Sequence, residues 1–309
     1  MHQIITITLN PSLDKTTSVQ KLLPAKKLRC AEAILEPGGG GINVSRVLKK
    51  LGSNSLAVYL SGGYTGKQFD QLLQEEKVDG HIIPIKNVIR ENLIVLDEDS
   101  NLQYRFGMDG PLVYQDEWQQ CLQFLQKQSG HHYVVASGSL PPGVPVDFFA
   151  QLADILKQQD AKLIIDTSGK ALASAVKEGV FMIKPNLHEL SNLYGVAALK
   201  NDEVIDAAKT IIAKGGCEVM AVSLGAEGAI LITKDEVVQV KSPKVNTKST
   251  VGAGDSMVAG MVLAMTQKKT WKQVLQMGIA CGSAATMNNG AELCRKDDVA
   301  MLLAQIQQQ

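Results

Sequence analysis

Two rhythms of apolar and polar positions alternate along most of this chain. Short, nearly continuous apolar runs stand at Ile4–Leu9, Ser55–Leu60, Tyr133–Ala136, Leu163–Ile165, Phe181–Ile183 and Val219–Ser223. Strands buried on both faces of a parallel sheet need such runs. Between them, apolar residues recur at helical spacing over Asn43–Leu51, Trp118–Lys127, Val146–Lys157, Ala171–Lys177 and Val204–Ala213. The βαβα order predicts an α/β fold, a doubly wound, mostly parallel sheet with helices on both faces.

Two stretches break the rhythm. Residues 16–35 and 92–106 read as extended, of mixed polarity and without a helix between strands. Within the second, Leu93–Leu96 and Leu102–Phe106 flank a turn and predict a hairpin. Together these segments predict a small separate β-sheet acting as a lid over the cleft. Ala229–Thr233 and Val237–Val240 predict another hairpin, and the glutamine-rich tail reads as a fraying end. With no linker or repeat in view, residues 1–309 read as a single domain carrying that lid.

Composition narrows the classes. Basic and acidic residues balance at 31 each, so no net positive field favours nucleic acid or an anionic membrane. No apolar run approaches the roughly 20 residues of a bilayer span. Cys30, Cys121, Cys217, Cys281 and Cys294 are scattered without metal spacing and odd in number, as expected of buried thiols in a reducing compartment. The N-terminus shows no leader pattern, and the expected location is cytoplasmic.

The chemistry concentrates in Ser249-Thr250-Val251-Gly252-Ala253-Gly254-Asp255-Ser256, which leads into an apolar segment of helical character. Bare backbone at a helix start presents N–H groups and the positive end of the helix dipole, which suits a phosphate. A carboxylate beside an anion site is costly unless it serves, and a base beside a bound phosphoryl group is what transfer from ATP to an alcohol needs. This is a kinase-like signal.

Other constellations are weaker alone. Pro37-Gly38-Gly39-Gly40-Gly41-Ile42-Asn43 opens a helix and lets backbone approach a ligand, but a structural turn with Asn43 as cap explains it equally. No strand and no acidic residue support a dinucleotide fingerprint there. Ser61–Gln68 imitates a phosphate-binding loop but lacks its first glycine and the hydroxyl after lysine, so it reads as a loop and a helix start. Lys184-Pro185-Asn186-Leu187-His188-Glu189 follows a buried strand, where α/β sheets bind ligands; Asn186 and Glu189 serve either Mg²⁺ or a capping box. Lys27, Arg29, Arg90 and Arg105 on the unusual segments are either surface charges or a joint anion site. Asp14 is a hydroxyl acceptor or a turn residue. The histidines show no ligand spacing.

Assembled, these residues resemble the ribokinase-like carbohydrate kinase family over nearly the full length. The resemblance rests on Gly38–Asn43, Asn186-x-x-Glu189 and Thr250–Asp255 in that order. Asn10–Asp14, Lys27–Cys30, Glu36–Asn43, Gln103–Phe106, Ser137–Gly143 and Ser249–Ser256 place it nearest the branch that phosphorylates fructose 6-phosphate at its 1-hydroxyl. Tagatose-6-phosphate and fructose-1-phosphate kinases are the alternatives, with a non-catalytic sugar-phosphate sensor and a dinucleotide oxidoreductase as outsiders.

The resemblance implies the following roles. Asp255 is the base, and Gly252, Ala253 and Gly254 form the anion hole. Asp14, Gly39, Gly40 and Asn43 hold the sugar; Arg90, Arg105, Ser139 and Lys27 hold its phosphate. Lys184, Asn186 and Glu189 serve ATP phosphates and Mg²⁺, with Glu189 acting through water. Ser223, Gly225, Gly228, Lys248, Ile279 and Ser283 line the nucleotide site. Many family members carry aspartate where Ser249 stands. A K⁺ site there would rest mainly on carbonyls near Ser249, Val251, Asn288 and Gly290. Relatives imply a homodimer through the lid sheets and inhibition by excess ATP.

Overall fold

The structure, a computed structural model, describes residues 2–308. In chain order its strands are β1 (Ile4–Thr8), β2 (Ser12–Val19), β3 (Ile34–Gly38), β4 (Leu56–Ser61), β5 (Asp79–Pro84), β6 (Arg90–Asp97) and β7 (Leu102–Phe106), then β8 (Tyr133–Ser137), β9 (Lys162–Asp166), β10 (Val180–Ile183), β11 (Cys217–Ser223), β12 (Ala229–Thr233) and β13 (Val237–Val240). The helices are α1 (Gly40–Lys50), α2 (Gly63–Glu75), α3 (Gln115–Gln126), α4 (Phe148–Lys157) and α5 (Gly169–Glu178), then α6 (Leu187–Tyr194), α7 (Val204–Ala213), α8 (Ala253–Thr266), α9 (Trp271–Thr286) and α10 (Lys296–Gln307).

Nine strands form the main sheet in the order β13-β12-β11-β10-β9-β8-β1-β4-β5. From β11 to β5 every neighbouring pair is parallel; β12 and β13 continue antiparallel at the edge. The apolar runs alternate between the faces, as a period of two dictates. Ile5, Ile7, Val134, Ala136, Leu163 and Ile165 point into a core with α2 to α7. Ile4, Val135 and Ile164 point into a second core with α1, α8, α9 and α10. Each fully buried Val, Leu or Ile side chain contributes about 1.5–3 kcal/mol by leaving water.

β1 pairs with β4 on one side and β8 on the other, so the winding reverses there. A crevice opens beyond the carboxyl ends of strands at such a reversal. Into it projects the second sheet, ordered β3-β2-β6-β7. The β6–β7 hairpin forms as read, while β2 begins at Ser12 and β3 at Ile34, with irregular chain over 20–33.

Three readings change. β5 escaped the pattern because only Ile83 of its six residues is buried. The chain after residue 270 forms two further helices, α9 and α10. The tail does not fray before Gln307, because Val299, Leu302 and Ile306 pin α10 to the core. The Ser61–Gln68 segment does start a helix, α2. Cys30 is exposed and the other four thiols are buried. Among the described residues, no helix is long and apolar enough to cross a membrane.

Candidate active site

The floor of the crevice is built from ends of buried elements. Gly252 caps α8 in the left-handed region (φ 69°), and a side chain there would also meet Leu293 Cδ2 at 2.5 Å, so only glycine fits. The amides that follow, at Ala253 and Gly254, start α8. Lys184, from the end of β10, brings its Nζ to within 3.5 Å of where a Cβ on Gly254 would stand. Lysine and helix N-terminus together present the donors and positive charge that an anion needs.

Asp255 follows in the first turn of α8, half-buried. Asn43 Nδ2 donates to its Oδ2 at 2.9 Å, and Ser137 Oγ to its Oδ1 at 3.3 Å. Burial, and then the nearby Asp166 carboxylate, push its pKa up to about 6. Asn43 and Lys184 oppose the rise. A carboxylate tuned there is ionised at neutral pH, yet basic enough to take an alcohol proton.

Lys184 is 7% exposed and pairs with Asp166 Oδ1 at 3.1 Å. Burial alone would lower its pKa, but Asp166, then Glu189 and Asp255, reverse the sign and keep it charged. Asp166, Glu189 and Asp255 line one cleft of about 290 Å³ with Gly40, Ser137 and Ser139. A larger groove of about 840 Å³ sits at the opposite end of the strands, by Lys162, Phe181 and Trp271, away from these groups.

Asn186 and Glu189 do form the capping box of α6: Asn186 Oδ1 accepts from Glu189 N and Glu189 Oε2 accepts from Asn186 N, both at 2.9 Å. Among the described residues no cluster of three or more metal-ligating side chains is assembled. Mg²⁺ does not need one, since it keeps several waters and takes one or two carboxylates plus substrate phosphates. Asp166 and Glu189 in the same cleft fit that donor set.

The roof is the second sheet. Asp14 lies within β2, not in a turn, and is 7% exposed. Ser12 Oγ and Asn92 Nδ2 donate to its Oδ1 at 2.7 and 2.9 Å. Burial raises its pKa, and these two hydrogen bonds, with Arg90 and Arg46, counter the rise. Arg90 opens β6, and its Nη2 donates to the Asn10 carbonyl at 3.1 Å, while Asn10 Nδ2 donates to Ser139 Oγ at 2.9 Å. Arg90 Nε is buried without a hydrogen-bond partner. Arg105, on the edge strand β7, reaches across to Thr250 Oγ1 at 2.8 Å. Lys27 is exposed on the irregular segment, apart from those contacts.

The nucleotide and cation candidates separate in the same way. Ser223 ends β11 and bridges to Asn186, with exposed Gly225 and buried Gly228 in the turn beyond. Ser283 lies on α9 beside Gly282, which packs against the Ala253 carbonyl. Lys248 is exposed, with its N–H on the Thr286 carbonyl at 2.8 Å. Ile279 is 4% exposed and belongs to the core rather than to an open wall. Ser249 Oγ donates to the Gly290 carbonyl at 2.8 Å and contacts Gln103 Oε1 at 3.2 Å; Val251 N donates back to Ser249 Oγ at 3.2 Å. Asn288 turns inward, its Nδ2 on the Leu293 carbonyl at 3.1 Å.

The profile of the pfkB family carbohydrate kinases matches residues 8–298. The chain belongs to that family. It is 41% identical over 306 residues to the ATP-dependent 6-phosphofructokinase isozyme 2 of Escherichia coli (strain K12), covering 98% of this chain and 99% of that one. It superposes on the crystal structure of phosphofructokinase-2 from Escherichia coli in complex with potassium at a TM-score of 0.96, with 39% identity, covering 99% of this chain and 100% of that one. The same protein in complex with fructose-6-phosphate gives a TM-score of 0.94 at 38% identity, again covering 99% and 100%.

Sequence reasoning passed over Asp166, Asn92 and Arg46, which lie in or behind the crevice, and named Ser137 only within the Ser137–Gly143 motif without giving it a role. Asp166 carried a usable signal: a carboxylate ending the apolar run Leu163–Ile165, where a buried parallel strand opens onto the crevice. Asn92 and Arg46 gave no such signal and are recruited only by tertiary contact.

Proposed function

We propose that the chain transfers the γ-phosphoryl group of ATP to the 1-hydroxyl of fructose 6-phosphate, yielding fructose 1,6-bisphosphate and ADP. One observation carries the reading: Asp255, with a pKa near 6, stands directly after the Gly252–Gly254 amides and shares a hydrogen bond with Asn43 of the glycine-rich loop. Base, anion hole and sugar loop therefore converge on one point.

The sugar enters between Asp14, Gly39, Gly40 and Asn43, which hold its hydroxyls. Its phosphate lies against Arg90, Ser139 and Arg105, with Lys27 as a further cation. Asp255 takes the proton of the 1-hydroxyl. The freed oxygen attacks the γ-phosphorus while the bond to the β–γ bridging oxygen breaks, and ADP leaves. The amides of Gly252, Ala253 and Gly254 and the Lys184 ammonium stabilise the charge on the transferring group. Asn186, Ser223, Gly225, Gly228, Lys248 and Ser283 border the nucleotide, with Ile279 behind them. Mg²⁺, held through water by Glu189 and by Asp166, would neutralise the β- and γ-phosphate oxygens.

Ser249, Val251, Asn288 and Gly290 adjoin the anion hole and form the candidate K⁺ site, in line with the potassium complex of the Escherichia coli relative. Replacing K⁺ by a large organic cation should lower activity. The second sheet exposes Ile34, Leu102, Tyr104 and Phe106, which supports a homodimer through these sheets, testable by light scattering.

The deciding experiment is coupled ADP release with fructose 6-phosphate, tagatose 6-phosphate, fructose 1-phosphate and fructose. The highest kcat/KM on fructose 6-phosphate is expected. Preference for another phosphosugar would move the substrate and keep the mechanism, and binding without turnover would replace the kinase by a sensor.

A further inference from the structure

Arg46 stands one turn beyond Asn43 on α1 and is 2% exposed, so no ligand touches it. Its guanidinium makes four hydrogen bonds, with every nitrogen engaged. Nε and Nη2 donate to the two carboxylate oxygens of Glu76 at 2.8 and 2.6 Å, a bidentate pair. Nη1 donates to the Pro37 carbonyl at 2.8 Å, and Nη2 also reaches Glu36 Oε1 at 3.3 Å.

These partners belong to different parts of the molecule. Glu76 caps the end of α2. Glu36 and Pro37 lie in β3, at the point where the lid sheet runs into the glycine-rich loop. In the lid, Glu36 pairs in register with Asp14, Pro37 with Leu13 and Gly38 with Ser12. Gly38 approaches Asp14 so closely that a Cβ on it would strike the carboxylate. The guanidinium thus bolts the root of the lid to α1 and to the end of α2, immediately behind the sugar-holding groups.

Stability is a poor explanation for such a triad. Withdrawing three charges from water offsets most of their attraction, and well-packed apolar replacements are often as stable. A planar fork with several fixed donors does, however, define where its partners stand.

We propose that Arg46 is a positioning residue for the phosphosugar: by clamping Glu36 and Pro37 against Glu76 it sets the placement of Asp14 and the Gly38–Gly39 backbone. It thereby controls sugar affinity without contacting the sugar. The proposal rests on the sugar-kinase reading above. The groups assigned to ATP lie on or just beyond β10 and β11, on α6, α8 and α9, and at Lys248, and none of the four bonds of Arg46 reaches them.

The test pairs steady-state kinetics with calorimetric titration of fructose 6-phosphate in the absence of ATP, on wild type, Arg46→Met and Glu36→Gln. Arg46→Met should raise the sugar KM and the sugar Kd about tenfold or more, the scale of a small misplacement in a site, with the ATP KM unchanged. Glu36→Gln weakens only the lid-side arm and should shift both sugar constants the same way by less. Glu36 is half-buried at the rim of the triad, so this variant decides the matter if Arg46→Met does not fold. A purely structural role would lower the melting temperature and the active fraction while leaving both KM values alone, which would overturn the proposal. Sugar constants unchanged in Glu36→Gln would overturn it also. Absence of turnover in wild type with the Kd shift intact would sink the kinase reading and leave the positioning role standing; absence of sugar binding by wild type would end both.

Discussion

Asp255 and Arg105 both face the crevice, yet the fold holds them in opposite ways. Asp255 belongs to the first turn of a helix that runs through the core, fixed by Asn43 and Ser137 from two other elements. Arg105 lies exposed on the outermost strand of a four-stranded sheet, held by Gln103 at 3.2 Å and Thr250 at 2.8 Å. On the proposed function, the floor would place the charge of the reaction in a packed setting, while the roof would place recognition where substitutions disturb little else. Chemistry and specificity would then be carried by separate layers of the molecule.

Breaking the floor should have the largest effect. Asp255→Asn keeps the shape and the contact with Asn43 but removes the base, and kcat should fall by about 10²–10⁴ on every substrate. Stopped or coupled assays read this directly. A loss confined to KM would mean that Asp255 only binds.

Breaking the roof comes next. Charge-assisted hydrogen bonds contribute about 1.5–3 kcal/mol each. Removing Arg90 and Arg105 together by alanine should then cut kcat/KM for fructose 6-phosphate by at least about a hundredfold, at ~1.4 kcal/mol per tenfold. Free fructose should be turned over as before.

The pH profile sharpens the contrast with a smaller effect. As pH falls through about 6, the Asp255 carboxyl gains a proton and can no longer accept one, so the acid limb of kcat should lie near that value rather than in the ordinary carboxylate range. Free fructose lacks the phosphate whose second ionisation lies at about 6 and should show the same limb in kcat. An acid limb near pH 4 would show that the burial of Asp255 is relieved in the working enzyme.

Much of this arrangement is legible in the sequence because it is local. The buried parallel strands announce themselves as apolar runs, and the octapeptide from Ser249 places loop, helix start and carboxylate in consecutive residues. The lid could be read as an interruption, but its bounds could not: β2 starts at Ser12, where polar residues alternate with a single fully buried Leu13. Asp166, Asn92 and Arg46 stayed hidden for a different reason. Their partners Lys184, Asp14 and Glu76 lie far along the chain and meet them only after the sheets assemble. The Asn186–Glu189 pair was ambiguous for a sound physical cause, since it is a capping box of which Glu189 also borders the cleft.

That pair gives the smallest prediction. Asn186→Ala removes a helix cap worth about 1 kcal/mol, which urea unfolding should register. If Asn186 also borders ATP, its KM for ATP rises too; a stability loss with ATP KM unchanged would assign it to the cap alone.

The most direct measurement is a comparison of kcat/KM for fructose 6-phosphate and for fructose across wild type, Asp255→Asn and the Arg90→Ala/Arg105→Ala double variant. The separation of layers predicts that the floor variant loses both substrates in proportion, while the roof variant loses only the phosphorylated one. Equal losses on both sugars in the roof variant would contradict it.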